Sequence, residues 1–162
     1  MNSIQQGGNY SEEFQLSEVI KDGLAIRFFN RPSEKVKFAS VNENGCAIQY
    51  IDNASKKLRL AAINNNGYAI QFLNNTSEEE RIAAVNNNAF AILYINRPSE
   101  DVQLAAVKKN PFVIDLIDNP SIKVQLAAVT QDGFSIGFII NPSSVVQLAA
   151  LKQNPDAVYY LN

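Results

Sequence analysis

Hydrophobic and polar positions recur along the chain with a fixed period of 22 residues. Blocks starting at residues 10, 32, 54, 76, 98, 120 and 142 run from Tyr10 to Asn162, six of them full and the last of 21 residues, with no insertion or deletion. Position 2 is Ser in every block, from Ser11 to Ser143. Position 7 is bulky and apolar, from Leu16 to Leu148, and position 8 is Ser17 in the first block and Ala in the others. Position 10 is Val, Ile or Leu, and positions 17 and 20 are apolar throughout. Position 13 is always Asn or Asp. Self-similarity of this kind is the sequence signature of a repeat architecture.

The block Pro98–Asn119 reads as two helical elements. Ser99 is an N-cap whose hydroxyl can accept a free first-turn N–H. Glu100 and Asp101 sit where the helix dipole favours anions, and Lys108 and Lys109 close the helix at its negative end. Val102, Ala105 and Ala106 fall on one helical face, Leu104 and Val107 on another. Asn110 caps a second element, and Pro111 takes its first position, where no N–H is needed. The pattern predicts a helix over positions 3–12, a second short helical stretch over about 14–20, and tight turns. Neither helix is stable alone, because isolated helices this short are marginal. Stability must come from stacking, and a helix apolar on two faces needs neighbours on two sides. The fold expected is all-α: a solenoid of seven two-helix repeats over residues 10–162, behind a flexible lead at residues 1–9 that contains Gly7-Gly8. Gly recurs at position 14 but alternates with Ala89, Pro111 and Pro155, so close packing or a permissive helix start explains it better than a left-handed backbone.

Composition removes several kinds of chemistry. The chain has no His and one Cys, so His-based acid–base work, His ligands and intramolecular disulfides are excluded. Fourteen Lys and Arg stand against 16 Asp and Glu, a formal charge of −2 that weakens any case for broad duplex binding. No phosphate-cradling or dinucleotide motif is present. We expect no catalytic residues, no metal and no cofactor. Lone Cys46 reads as a small packing residue. The first residues lack the basic-then-apolar order of a signal peptide, and no run approaches the roughly 20 apolar residues of a membrane span. The expected location is the cytoplasm of the producing or host cell, with no membrane partner.

In a repeat array, function is sought where a column departs from its neighbours. Glu18 at position 9, where most blocks have Ala, reads as a polar end cap. At the other end polar positions turn apolar: Ile122 and Ile140 in the sixth block, and Val145 and Tyr159 in the seventh, beside Tyr160. These five residues are the expected surface for self-association, as a homodimer through the C-terminal repeats, or for docking another protein. Glu80 interrupts an apolar column; it either reaches solvent from a half-exposed column or pairs with Lys57 or Arg59 of the block before, or it contacts a partner. Position 15 carries Tyr68, Phe90, Phe112 and Phe134, either core or a partner-facing stripe, and the aromatic column at position 19 is expected in the core. Lys35, Lys37, Lys56, Lys57, Arg59 and Arg81 form a basic ridge, but glutamates interleave with it. Asn64–Asn66 and Asn86–Asn88 occupy fixed repeat positions and read as stacked, hydrogen-bonded turns.

The phrase N-P-S-x-x-V-Q-L-A-A, at Asn119–Ala128 and Asn141–Ala150, resembles two families. It is similar to the leucine-rich-repeat-variant superhelix and to a short helical repeat of unknown function found in bacterial and phage proteins. The resemblance extends over Tyr10–Asn162 and implies a right-handed solenoid without a shared active-site motif. No Cys-rich cluster domain accompanies it, so no cofactor is implied. The function expected is a non-enzymatic protein-binding module, in one version a phage-encoded inhibitor that occludes a host defence protein. The alternative is a nucleic-acid-binding helical repeat protein. Position 18 runs too irregularly, from Arg27 through Leu93 to Tyr159, to read as a base code.

Overall fold

A computed structural model of the chain describes residues 10–161. The lead expected over residues 1–9 lies outside the described residues. Seven α-helices alternate with seven 3-10 helices: α1 Glu12–Lys21, η1 Gly23–Phe28, α2 Glu34–Glu43, η2 Gly45–Tyr50, α3 Lys56–Asn65, η3 Gly67–Phe72, α4 Glu78–Asn87, η4 Ala89–Tyr94, α5 Glu100–Lys109, η5 Pro111–Leu116, α6 Ile122–Gln131, η6 Gly133–Phe138, α7 Ser144–Gln153 and η7 Pro155–Tyr160. No strand occurs among the described residues, and no helix is long and apolar enough to cross a membrane.

Every α-helix occupies positions 3–12 of its block, as the pattern predicts. The serine at position 2 accepts the N–H three residues on, at 3.3 Å from Phe14 to Ser11 and 3.2 Å from Val102 to Ser99. Ser143 is the exception and makes no such bond. The residue at position 13 serves both helices. Its N–H closes the α-helix on the carbonyl of position 9 (Asn110 to Ala106, 2.9 Å), and its side chain caps the next element (Phe112 N–H to Asn110 Oδ1, 3.0 Å).

The second element is a 3-10 helix over positions 14–19, shorter than expected. Position 20 has already turned extended while its N–H still bonds three residues back, as Ile117 does to Ile114 at 3.2 Å. Six residues is long for this tighter helix, and each run starts on the cap that position 13 supplies. The turn into the next block takes position 22 through positive φ, between 49° and 52°, at Arg31, Asn53, Asn75, Arg97, Asn119 and Asn141. Asn tolerates that region; Arg pays the ordinary steric cost of a side chain there.

The chain forms two compact units, one ending at Asn87 and one beginning at Asn88. In the first, α1, α2, α3 and α4 pack in sequence, as do η1, η2 and η3. In the second, α5, α6 and α7 pack in sequence, as do η4 to η7. Positions 5, 9, 10, 16, 17 and 20 supply the core, for example Val102, Ala106, Val107, Val113, Ile114 and Ile117. This corrects the two-face reading of the α-helix: Leu104 and Ala105 are only half-buried. The small residue at position 9 and the glycine at position 14 explain each other. A Cβ on Gly23 would stand 2.6 Å from the Ser40 carbonyl oxygen, and one on Gly133 2.7 Å from that of Ala150. Glycine here answers close approach, not positive φ.

Amide side chains then tie consecutive repeats together. Asn65 accepts the Gly45 N–H at 2.7 Å and donates to the Asn42 carbonyl at 2.7 Å. Asn87 does the same with Gly67 and Asn64, at 2.7 and 2.8 Å. In the second unit Gln153 bridges Gly133 and Gln131, at 2.6 and 3.3 Å. The asparagine-rich turns are therefore the hydrogen-bonded ladder their spacing suggests.

Candidate functional site

Glu80 is buried, with 3% of its surface exposed, so it is neither a solvent-reaching residue nor a partner contact. Its carboxylate accepts from Arg59 Nε at 2.7 Å and Nη2 at 2.9 Å, and Arg59 Nη2 also donates to the Asn74 carbonyl at 3.2 Å. Glu80 also closes a reciprocal cap with Ser77. Its N–H donates to Ser77 Oγ at 3.3 Å and its carboxylate accepts the Ser77 N–H at 2.8 Å. Burial alone would raise the carboxyl, but the Arg59 and Ser77 hydrogen bonds outweigh it and hold the group below its ordinary value. The reciprocal cap was visible in the spacing Ser77-x-x-Glu80.

Internal contacts take up most of the basic ridge. Lys37 pairs with Glu34 at 2.8 Å, Lys56 with Glu79 at 2.6 Å, and Arg59 with Glu80. The Glu79 contact also raises the Lys56 ammonium above its usual value. Arg81 Nε donates to Thr76 Oγ1 at 3.0 Å, and the Lys57 ammonium lies 5.6 Å from the centre of the Phe38 ring. Lys35 is exposed. Cys46 is half-buried beside Asn66, and burial pushes its thiol up, away from the nucleophilic thiolate.

The 3-10 helices carry the apolar surface. Position 19, expected in the core, is largely exposed: Tyr50, Phe72, Tyr94, Phe138 and Tyr160 all stand out, because the core beneath is filled by positions 16, 17 and 20. Position 15 is mixed, with Phe90 and Phe112 exposed and Tyr68 and Phe134 half-buried. The two columns interlock between repeats: Phe112 meets Phe138 edge-on at 5.9 Å, and Phe134 meets Tyr160 at 5.4 Å.

Beside this row the same cleft forms again and again. It occupies about 770 Å³ around Ile92–Pro98, about 390 Å³ around Ile114–Pro120 and about 660 Å³ around Ile48–Ala54. Each is lined by the isoleucine of position 17 and the turn of positions 20–22. Position 19 of the following repeat (Leu116, Phe138 or Phe72) and position 6 (Gln103, Gln125 or Arg59) also line it.

The sixth and seventh blocks carry further exposed apolar residues, of which Ile140 lines the smaller cleft. Ile122, Ile140, Val145, Tyr159 and Tyr160 are all exposed, Ile140 at 89% and Tyr159 at 83%. Four further residues join them that the column comparison missed. Val158 is 51% exposed where its counterpart Ile136 is 1% exposed, and Leu148 is 67% exposed. Pro155 is exposed where Pro111 is buried, and Leu151 is half-buried where Val129 is fully buried. These four conform to their columns, so no departure flags them. They are exposed because no described residue lies against the flank that, in the sixth block, faces a next repeat. In the first unit, the flank of α1 is polar: Glu18 occupies the position where Ser40 bonds to the preceding repeat (Oγ to the Gly23 carbonyl, 2.7 Å), and Lys21 pairs with Glu18 at 2.6 Å.

Comparison with known protein families, curated proteins and solved structures finds no match to this chain.

Proposed function

We propose that the chain is a non-enzymatic protein-binding repeat module that acts by occupying a surface, and that the flank of the seventh block is its self-association face. Seven 22-residue repeats wound as a right-handed α-solenoid are part of this reading. The carrying observation is that Leu151, Pro155 and Val158 belong to columns that are buried in repeats with a following neighbour, and Leu148 to a column that is half-buried there, yet here all four are left partly or largely exposed. Continuity with the repeat–repeat interface makes a second copy the occupant. Head-to-tail stacking would bring the Glu18–Lys21 pair against this apolar flank and desolvate it. A two-fold contact between two C-terminal flanks avoids that, and an isologous dimer is the commonest closed assembly. In the inhibitory version, supported by the resemblance alone, the occupied protein is a host defence component. The internal pairing of the basic ridge favours protein over nucleic acid as the partner class.

Sedimentation velocity of the purified chain tests the proposal. A concentration-dependent species heavier than the monomer is expected, reduced to monomer by Val145→Glu with Tyr159→Ala while helicity stays unchanged. A monomer at every concentration, or an assembly indifferent to that double substitution, overturns it.

A further inference from the structure

We propose that the row of clefts on the 3-10 face of the second unit binds an extended, proline-rich protein segment that carries a basic residue. The inference rests on the protein-binding reading and names the chemistry of a partner for a different surface of the same chain.

Spacing is the first argument. The two clefts at Ile92–Pro98 and Ile114–Pro120 repeat with the stacked helices that frame them, and packed helices lie about 8–10 Å apart. A polyproline II chain rises about 3.1 Å per residue and returns to the same face every third residue, roughly every 9 Å. A β-strand presents the same face roughly every 6.7 Å, and an α-helix turns every 5.4 Å or so, so neither keeps step. Tyr94, Phe138 and Tyr160 form exposed aromatic ridges with Leu116 between them. Aromatic-lined grooves of this kind receive proline rings, whose helix is already ordered before binding.

Hydrogen bonding is the second. A polyproline II segment has no internal hydrogen bonds, so its carbonyls need donors. Asn96, Arg97 and Asn119 line the clefts and are free to donate. Charge is the third. Asp115 and Asp118 both line the smaller cleft, are exposed, and have no ion-pair partner among the described residues, and no Lys or Arg lines that cleft. Asp118 also lines the larger cleft, where Arg97 stands, so the two carboxylates mark the smaller cleft as the place for a Lys or Arg carried beside the prolines.

The test is fluorescence anisotropy of a labelled synthetic peptide that repeats Leu-Pro-Pro behind a single arginine, titrated with the intact chain. Saturable binding is expected. Phe138→Ala should weaken it about tenfold, as loss of an aromatic anchor does. Asp115→Asn with Asp118→Asn should weaken it severalfold at low salt, and the same pair should leave binding of an arginine-free peptide unchanged. Circular dichroism checks that each variant stays folded. No binding, equal binding after the prolines are replaced by alanine, indifference to Phe138→Ala, or displacement of the peptide by a single-stranded oligonucleotide would each overturn the inference. Sedimentation reads the C-terminal flank separately. A self-associating chain that ignores the peptide sinks only this inference, and a monomer that binds it sinks only the flank assignment.

Discussion

Single side chains decide more here than their columns suggest. Glu80 sits where other repeats place Val, Leu or Phe, and it survives burial because Arg59 and Ser77 satisfy both carboxylate oxygens. Removing one partner of a buried pair costs about 3–5 kcal/mol, whereas replacing both with well-packed residues is often neutral or stabilising. Glu80→Ala should therefore lower the denaturation midpoint sharply. Glu80→Val with Arg59→Gln, the residues that Val124 and Gln103 supply across the fifth and sixth blocks, should restore it. The sign of the pH effect follows from the depressed carboxyl. Its contribution is present above the ordinary value of 4.5 and is lost as pH falls through the lower folded-state value. Denaturant melts taken down through that range should show an acid-side loss in the parent that is smaller in the double variant. Arg97 makes the opposite case: it holds φ at 50° where four of the six such positions have Asn. Arg97→Asn should raise the unfolding free energy by roughly 0.5–1 kcal/mol, a part of the steric cost of the left-handed region.

At the scale of elements, the chain is held together by a division of labour that the sequence shows unevenly. The α-helix bounds, the Ser caps and the Asn or Asp hinge at position 13 were legible because each depends on neighbours within four residues. Two features were not. The 3-10 geometry of the second element is one: apolar periodicity over six residues cannot separate it from an α-turn. The exposure of position 19 depends on how deeply position 17 fills the core, which is a property of stacking rather than of one block. The amide ladder was half legible: spacing pointed to stacked turns, but not to the bridge from Asn65 to both Gly45 and Asn42. Asn65→Ala leaves the buried Gly45 N–H without its acceptor and should cost about 1–3 kcal/mol, read from the shift in urea midpoint. Gly23→Ala drives a Cβ toward the Ser40 carbonyl at 2.6 Å and should cost about as much, roughly 1–3 kcal/mol for overpacking.

For the molecule as a whole, stability in repeat proteins is approximately a sum of repeat and nearest-neighbour terms. Among the described residues the seventh block packs only against the sixth, and Ser143 makes no cap bond. Native-state hydrogen exchange should accordingly give α7 and η7 weaker protection than α6 and η6; equal protection would contradict nearest-neighbour energetics. Of the interaction surfaces, the sequence exposed Ile140, Val145 and Tyr159 as oddities and hid Leu148 and Val158, which are ordinary residues in an unusual place. The salt-bridged face of α1 and the bare methyl groups of the seventh block are chemically unlike. A designed module grafted after Leu161 would find a template already shaped for it, with Pro155 asking for no acceptor. The same module grafted ahead of Tyr10 would meet an ammonium and a carboxylate where it needs an alanine.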